Sequence, residues 1–401
     1  MQMLWIGCLE SNEEFMSKAK KGYDLASAQV SQQNLVKGIE QITGQVFDTI
    51  NGSVLPPYPV YEDRIIEPVA WSHVPGAADI SVGYKNDKYI NRVNCKKAMI
   101  KAAENWVSTQ YSGEELIVFV YSMRSAPMAT ACFIKKKIPC AKIYLIVTDL
   151  PQFMDLGQNK IKAVLKKIDW FSIKRMQREF DGFVLYASKM AEYLNISKDK
   201  WILMEGSFDC KEEVETTIFE KKKAIMYSGK LDRQYGIPML VDAFMTIKNE
   251  DIELWITGGG NAEEYVQECA NKDKRIKYFG FLPSREDVLQ LQRKASLLIN
   301  MRLPSEEASN YCFPSKLFEY MATGVPVLSF NLGGIPEEYA PYLCLIDEET
   351  KERVAFEIEK WINTTVDELN QKGAEAKRFI CDNKNLQAQC RLICRFVFNR
   401  N

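Results

Sequence analysis

The sequence predicts an α/β protein made of two doubly wound, parallel-sheet domains. Three observations carry that expectation. Short apolar runs such as Leu116–Tyr121 (LIVFVY) and Lys142–Thr148 (KIYLIVT) alternate with longer amphipathic stretches. Such alternation marks parallel strands buried on both faces and separated by covering helices. It pauses at a charged stretch, GSFDCKEEVETTIFEKK, and then begins afresh. The chain has 401 residues, 46% of them apolar, which is enough for two separate cores. The expected boundaries are a first domain over residues 1–205, a linker over 206–222, a second domain over 223–375 and a closing helix over 376–401.

In the first half, the runs predict strands at Met3–Cys8, Ile65–Trp71, Ile80–Tyr84, Leu116–Tyr121, Lys142–Thr148, Gly182–Ala187 and Trp201–Met204. Helices are expected over Val30–Ile42, Asn91–Ser108 and Ala126–Lys136. Ligands of such sheets bind beyond the carboxyl ends of the strands. Polar residues stand there at Ser122 and Arg124, at Asp149, and at Ser188 with Lys189. Residues 156–178 interleave Lys160, Lys162, Lys166, Lys167, Lys174, Arg175 and Arg178 with Ile161, Val164, Leu165, Ile168, Trp170 and Phe171. Such a helix either packs on the sheet with a solvated outer face or lies on an anionic membrane.

In the second half, strands are expected at Ala224–Ser228, Ile252–Thr257, Ile276–Phe279, Leu297–Asn300, Val325–Phe330 and Leu343–Ile346. Helices follow over Glu263–Cys269, Lys351–Asn363, Val366–Phe379 and Asn385–Phe398. The first strand runs into Gly229, which permits a tight turn and close approach of a ligand, and into Lys230 at the rim. Pro238 opens the next helix. The second strand runs into Gly258, Gly259 and Gly260, a flat loop suited to a nucleotide. In Tyr311–Glu338, Pro314 suits a first helical position and Gly324 the stop. Phe313 offers no capping side chain, so the N–H groups near Ser315, Lys316 and Leu317 are left for a phosphate. Glu319, in an otherwise apolar helix, suits two ribose hydroxyls.

Composition removes several function classes. The net charge of -1 argues against a general nucleic-acid surface. Eleven cysteines without C-x-x-C pairs read as buried thiols in a reducing compartment, not as disulfides or zinc ligands. The single histidine, His73, rules against Ser-His-Asp catalysis and histidine metal sites. The sequence lacks a D-x-D pair, so no metal is expected to bridge phosphates. The start, MQMLWIGCLE, is too short and uncharged for a signal peptide. No apolar run reaches the length of a membrane span, so the expected location is cytoplasmic, with peripheral contact at the inner face of the membrane.

The segment FPSKLFEYMATGVPVLSF resembles the donor-site segment of retaining glycosyltransferases of family four (glycosyl transferases group 1). The resemblance is specific over about residues 224–340 and only topological before residue 140. It implies the GT-B fold: two Rossmann-like domains facing a cleft, with the last helix crossing back to the first domain. It further implies that Glu319 holds the donor ribose and that Lys230 binds the pyrophosphate. Residues Tyr311, Cys312, Phe313, Pro314, Ser315 and Lys316 then face the donor phosphates and sugar, with Gly229, Gly258 and Gly259 beneath. Phe281 and Leu282, following Gly280, lie against the base. Lys230, Glu319 and Asp149 form the implied catalytic set, and Ser122, Arg124 and Asp149 the acceptor side.

The sequence departs from the family at three places. Tyr311 stands where a second glutamate is usual, Tyr235 where a second basic residue is usual, and Thr148 where a histidine is usual. Arg233 is the nearest basic substitute for Tyr235. The implied reaction moves a sugar from a nucleotide-diphosphate sugar to a hydroxyl of a glycan or lipid-linked acceptor, in cell-surface or exopolysaccharide assembly. A non-catalytic nucleotide-sugar-binding subunit and a nucleotide-sugar epimerase remain the alternatives.

Overall fold

The computed structural model describes residues 1–21, 26–153, 160–208 and 221–398, with side chains described except at 26, 27 and 160–165. The charged connection expected at 206–222 therefore lies largely outside the described residues. The chain forms two compact units, one of residues 1–186, 190–204 and 389–401, the other of 187–189 and 205–388.

The first unit is built on an eight-stranded sheet. In spatial order its strands are Trp201–Leu203, Gly182–Leu185, Lys142–Val147, Leu116–Tyr121, Gln2–Gly7, Phe47–Asn51, Asp79–Ser81 and Val69–Trp71. All neighbours pair parallel except the last two. The central strands are apolar on both faces because helices cover both. Leu116–Tyr121 is buried at every residue.

The expected strand Ile65–Trp71 is two short pieces, Ile65–Ile66 and Val69–Trp71, each in an antiparallel pairing. Pro68 between them lacks the N–H a continuous ladder needs. Sequence patterning missed the strand Phe47–Asn51 because its interior is polar. There Asn51 Nδ2 donates to Thr49 Oγ1 at 2.7 Å, and Asn51 Oδ1 accepts from the Leu9 N–H at 2.9 Å. Paired in this way, buried polar side chains cost little. The helix Asn12–Lys20 was missed as well. Ser11 caps it, and Lys18 is buried on Glu10 at 2.7 Å.

The second unit holds a six-stranded, wholly parallel sheet. Its spatial order is Ile276–Tyr278, Glu253–Thr257, Lys222–Ser228, Ala295–Asn300, Val327–Phe330 and Cys344–Ile346. Numbered within the unit this is 3-2-1-4-5-6, the order of a dinucleotide-binding sheet. The closing helix Leu386–Phe398 buries Cys390, Ile393 and Val397. Its end packs on the first unit's sheet, with Phe396 edge-on to Tyr144 at 6.0 Å and Tyr144 Oη donating to the Val397 carbonyl at 3.3 Å. One thiol departs from expectation, since Cys381 is disulfide-bonded. Among the described residues no helix is long and apolar enough to cross a membrane.

Candidate active site

The strand order of the second unit sets Lys222–Ser228 beside Ala295–Asn300. Chain direction around the sheet reverses between them, so the loops leaving their carboxyl ends diverge and leave a crevice. Two glycine loops leave the ends of the neighbouring strands Lys222–Ser228 and Glu253–Thr257. Gly229 has φ 152° and Gly258 φ 132°, values that side-chain-bearing residues rarely adopt. A Cβ on Gly229 would lie 2.5 Å from Lys316 Cε, and one on Gly258 1.8 Å from the Gly229 carbonyl oxygen. The loops are stitched by Gly229 N–H to the Thr257 carbonyl at 2.9 Å and by Leu231 N–H to the Gly259 carbonyl at 2.9 Å. Gly259 itself has room, since a Cβ there meets only Glu263 Oε2 at 3.5 Å.

A cavity of about 110 Å³ has Lys230, Tyr235, Arg302, Pro314, Ser315 and Lys316 on its wall. Three of these are cations. Lys230 pairs with Asp232 at 2.6 Å and is otherwise largely exposed. Arg302 leaves the end of the Ala295–Asn300 strand and lies over the Tyr235 ring, 5.4 Å from its centroid. Burial lowers the pKa of Lys316, and the charge of Glu319 opposes that fall. Arg233, the expected substitute for the missing basic residue, is turned to the Tyr265 ring at 5.6 Å and does not line the cavity. Arg302 supplies the charge instead. Sequence reasoning missed it because it follows a different strand from the loop it complements.

The helix after the cavity runs Lys316–Ala322, capped at Ser315 without a side-chain hydrogen bond. Pro314 is thus one residue before the cap rather than the first helical residue. Its carbonyl accepts from the Leu317 N–H at 2.8 Å, so that donor is not left for a ligand. Phe313 is buried, with its ring centroid 4.9 Å from that of Phe318 and 5.2 Å from that of Tyr339. Any donor contact it makes must come from its backbone. Tyr311 and Cys312 are half-buried.

Glu319 lies outside the wall of that cavity. Its carboxylate is held by Gln292, whose Nε2 donates to Glu319 Oε1 at 2.7 Å and to Ser228 Oγ at 2.8 Å. Gln292 is fully buried, on the helix Arg285–Lys294. Tyr320 Oη completes the anchor by accepting from the Ser228 N–H at 2.9 Å. The Gly280 carbonyl accepts from the Gly258 N–H at 2.9 Å and Thr257 Oγ1 at 2.7 Å. Those two bonds fix the following loop against the Gly258 loop. Phe281 in it is 77% exposed and not a core residue, and Leu282 is half-buried.

In the first unit, Ser122 takes φ 75°, a left-handed conformation held by its N–H donating to the Ile146 carbonyl at 2.9 Å. Its own carbonyl accepts from the Arg124 N–H at 2.9 Å. Of the three acceptor-side candidates, only Arg124 lines a cavity of about 300 Å³ in that unit; Ser122 and Asp149 do not. Asp149 bears instead on Tyr186, whose pKa burial pushes up to about 12, with the Asp149 charge adding to the rise. His73 is a clasp between two carboxylates, Asp79 at 2.7 Å and Glu40 at 2.9 Å.

The helix Lys160–Gln177 turns Ile173 inward but leaves Ile168 63% and Phe171 75% exposed. Lys167, Arg175 and Arg178 are exposed beside them, while Lys174 is spent on the Leu194 carbonyl at 2.7 Å. The side chains of Lys160, Lys162, Ile161, Val164 and Leu165 lie outside those described.

Residues 210–379 match the family described as Glycosyl transferases group 1. No curated protein matches the sequence. Among solved structures, the chain is similar to the sucrose-phosphate synthase of Thermosynechococcus elongatus, at 15% identity and TM-score 0.63 over 98% of this chain and 97% of that one. It is similar to the Anabaena protein HepE in complex with UDP, at 11% identity and TM-score 0.65 over 100% of both chains. A trehalose-6-phosphate protein from E. coli bound with UDP-2-fluoro glucose is similar at 9% identity and TM-score 0.66 over 98% of both. With two Rossmann-like units the chain has the GT-B fold, and its residues 210–379 are similar to a group 1 glycosyltransferase domain.

Proposed function

We propose that the protein transfers a sugar, with retention of anomeric configuration, from a nucleoside-diphosphate sugar to an acceptor hydroxyl. The observation that carries this reading is the convergence of Lys230, Arg302 and Lys316 on one small cavity at the switch point of the second sheet. A departing diphosphate needs positive potential already in place, because donors fixed before the reaction cost no reorganisation during it. The anomeric carbon–oxygen bond breaks toward that cluster. The acceptor oxygen bonds the same carbon from the same face, and its proton passes to the leaving phosphate oxygen. Glu319, oriented by Gln292, accepts the donor's ribose hydroxyls. Asp149, at the end of the Lys142–Val147 strand, is assigned to the acceptor side. Glycan assembly at the cell surface is the setting the family resemblance favours.

The test is transfer from UDP-, ADP- and GDP-sugars by the whole chain. Glu319→Ala should abolish transfer while leaving the fold intact by circular dichroism. Nucleotide binding without transfer in the parent chain would instead favour a non-catalytic subunit, a reading motivated by Tyr311 and Tyr235 at positions where the family differs. The exposed Ile168 and Phe171, flanked by Lys167, Arg175 and Arg178, support peripheral contact with an anionic membrane. Pelleting with anionic liposomes should fall severalfold in an Ile168→Ser, Phe171→Ser variant, and equal pelleting of both proteins would remove the membrane contact.

A further inference from the structure

We propose that the cavity of the first unit lined by Arg92 and Arg124 binds an acceptor through a phosphate group, with an apolar portion of the same molecule seated beside it. This rests on the transferase reading and names the acceptor chemistry. The cavity measures about 300 Å³, more than a phosphate alone fills. It lies at the carboxyl edge of the sheet, where the loops after Phe47–Asn51, Leu116–Tyr121 and Lys142–Val147 supply Gly52, Met123 and Pro151. The switch point of this sheet falls between Gln2–Gly7 and Leu116–Tyr121, so this edge is where the topology opens a crevice.

The lining has two characters. Arg92, Arg124 and Lys166 bring positive charge, and Asp169 is the one carboxylate among the described residues of the wall. Among the described residues neither Arg92 nor Arg124 has an ion-pair partner, whereas Arg64 and Arg275 pair with Asp87 and Asp273 at 2.6 Å. Arg124 is close enough to the buried thiol of Cys95 to oppose the effect of burial on it. The helix Ser125–Lys137 starts on the same wall, with Ser125 and Ala126 lining the cavity and no side-chain cap. Two cations and a helix start on one wall suit a doubly charged oxyanion, and arginine binds phosphate in two-pronged fashion.

The rest of the wall is apolar, with Leu55, Met99, Trp170 and Ile173. Within it, the side chain of Gln152 has both Nε2 and Oε1 buried without a hydrogen-bond partner. A neutral oligosaccharide would leave the arginines unmatched and the apolar wall wet.

Calorimetric titration of the whole chain decides the matter, using octyl phosphate, glucose 6-phosphate, octyl glucoside and maltose as probes. The phosphate-bearing probes should bind and the neutral ones should not. Arg124→Gln should weaken phosphate binding about tenfold or more, with Arg92→Gln acting in the same direction. Octyl phosphate binding the more tightly points to a lipid-linked source, and glucose 6-phosphate binding the more tightly to a soluble sugar phosphate. Binding of neutral probes at equal strength overturns the proposal. So does absence of phosphate binding, or phosphate binding that neither variant changes. Titrating UDP, ADP and GDP into the same samples reads the donor site separately, so its failure leaves this result interpretable.

Discussion

Arg302 and Arg233 are both near the donor loop in sequence or space, but only Arg302 reaches the cavity. Arg302→Gln is expected to weaken nucleoside-diphosphate binding about 10- to 100-fold, the range of one charge-assisted hydrogen bond lost from a phosphate. Arg233→Gln should leave it unchanged, and calorimetry on both variants checks the contrast. If Glu319 takes the donor ribose as proposed, Gln292 is a positioning residue that acts through the Glu319 carboxylate. Gln292→Ala should raise KM for the donor with a smaller loss of kcat, and Gln292→Glu should be worse, because a carboxylate facing Glu319 repels it. Lys230, Lys316 and Glu319 were named as candidates from the sequence because their spacing within short segments carries the motif, and the structure sets the two lysines, but not Glu319, on one cavity wall. Arg302 and Gln292 were not, because each completes the site from a separate element and neither belongs to a motif.

At the scale of elements, the paired glycine loops after the first two strands of the second unit depend most on local conformation. Gly258→Ala would set a Cβ 1.8 Å from the Gly229 carbonyl oxygen at a φ of 132°. It is expected to destabilise the second unit by about 2–4 kcal/mol and to abolish nucleotide binding. Gly259→Ala, with open space at its Cβ, should be nearly neutral in urea denaturation. The sequence singled out Gly258 and Gly259 together; only backbone angles tell them apart. The apolar runs located nearly every strand because parallel strands are buried on both faces. Phe47–Asn51 escaped because hydrogen bonds, rather than apolar side chains, satisfy its buried interior.

At the scale of the molecule, both sheets have doubly wound order, which places each candidate site at a strand carboxyl edge without any site residue being specified. The first unit's fold carries a titrating clasp. Burial alone would lower the pKa of His73, but its hydrogen bonds to Asp79 and Glu40 outweigh that and raise it to about 9. A raised folded-state pKa stabilises most at pH below the unfolded value near 6.5 and loses that contribution as pH rises through 9. His73→Gln should therefore cost on the order of 2 kcal/mol at low pH, and little above the folded pKa. Urea titrations at the two extremes would show this difference, and a pH-independent cost would contradict it.

The central claim is that the switch-point cavity of the second unit holds a diphosphate. The most direct measurement is calorimetric titration of UDP, ADP and GDP into the parent chain and into Lys316→Gln. At least one nucleotide should bind one-to-one, and the lysine variant should bind it about tenfold or more weakly. If none of the three binds, or if the variant binds as tightly as the parent, the cavity is not the donor site.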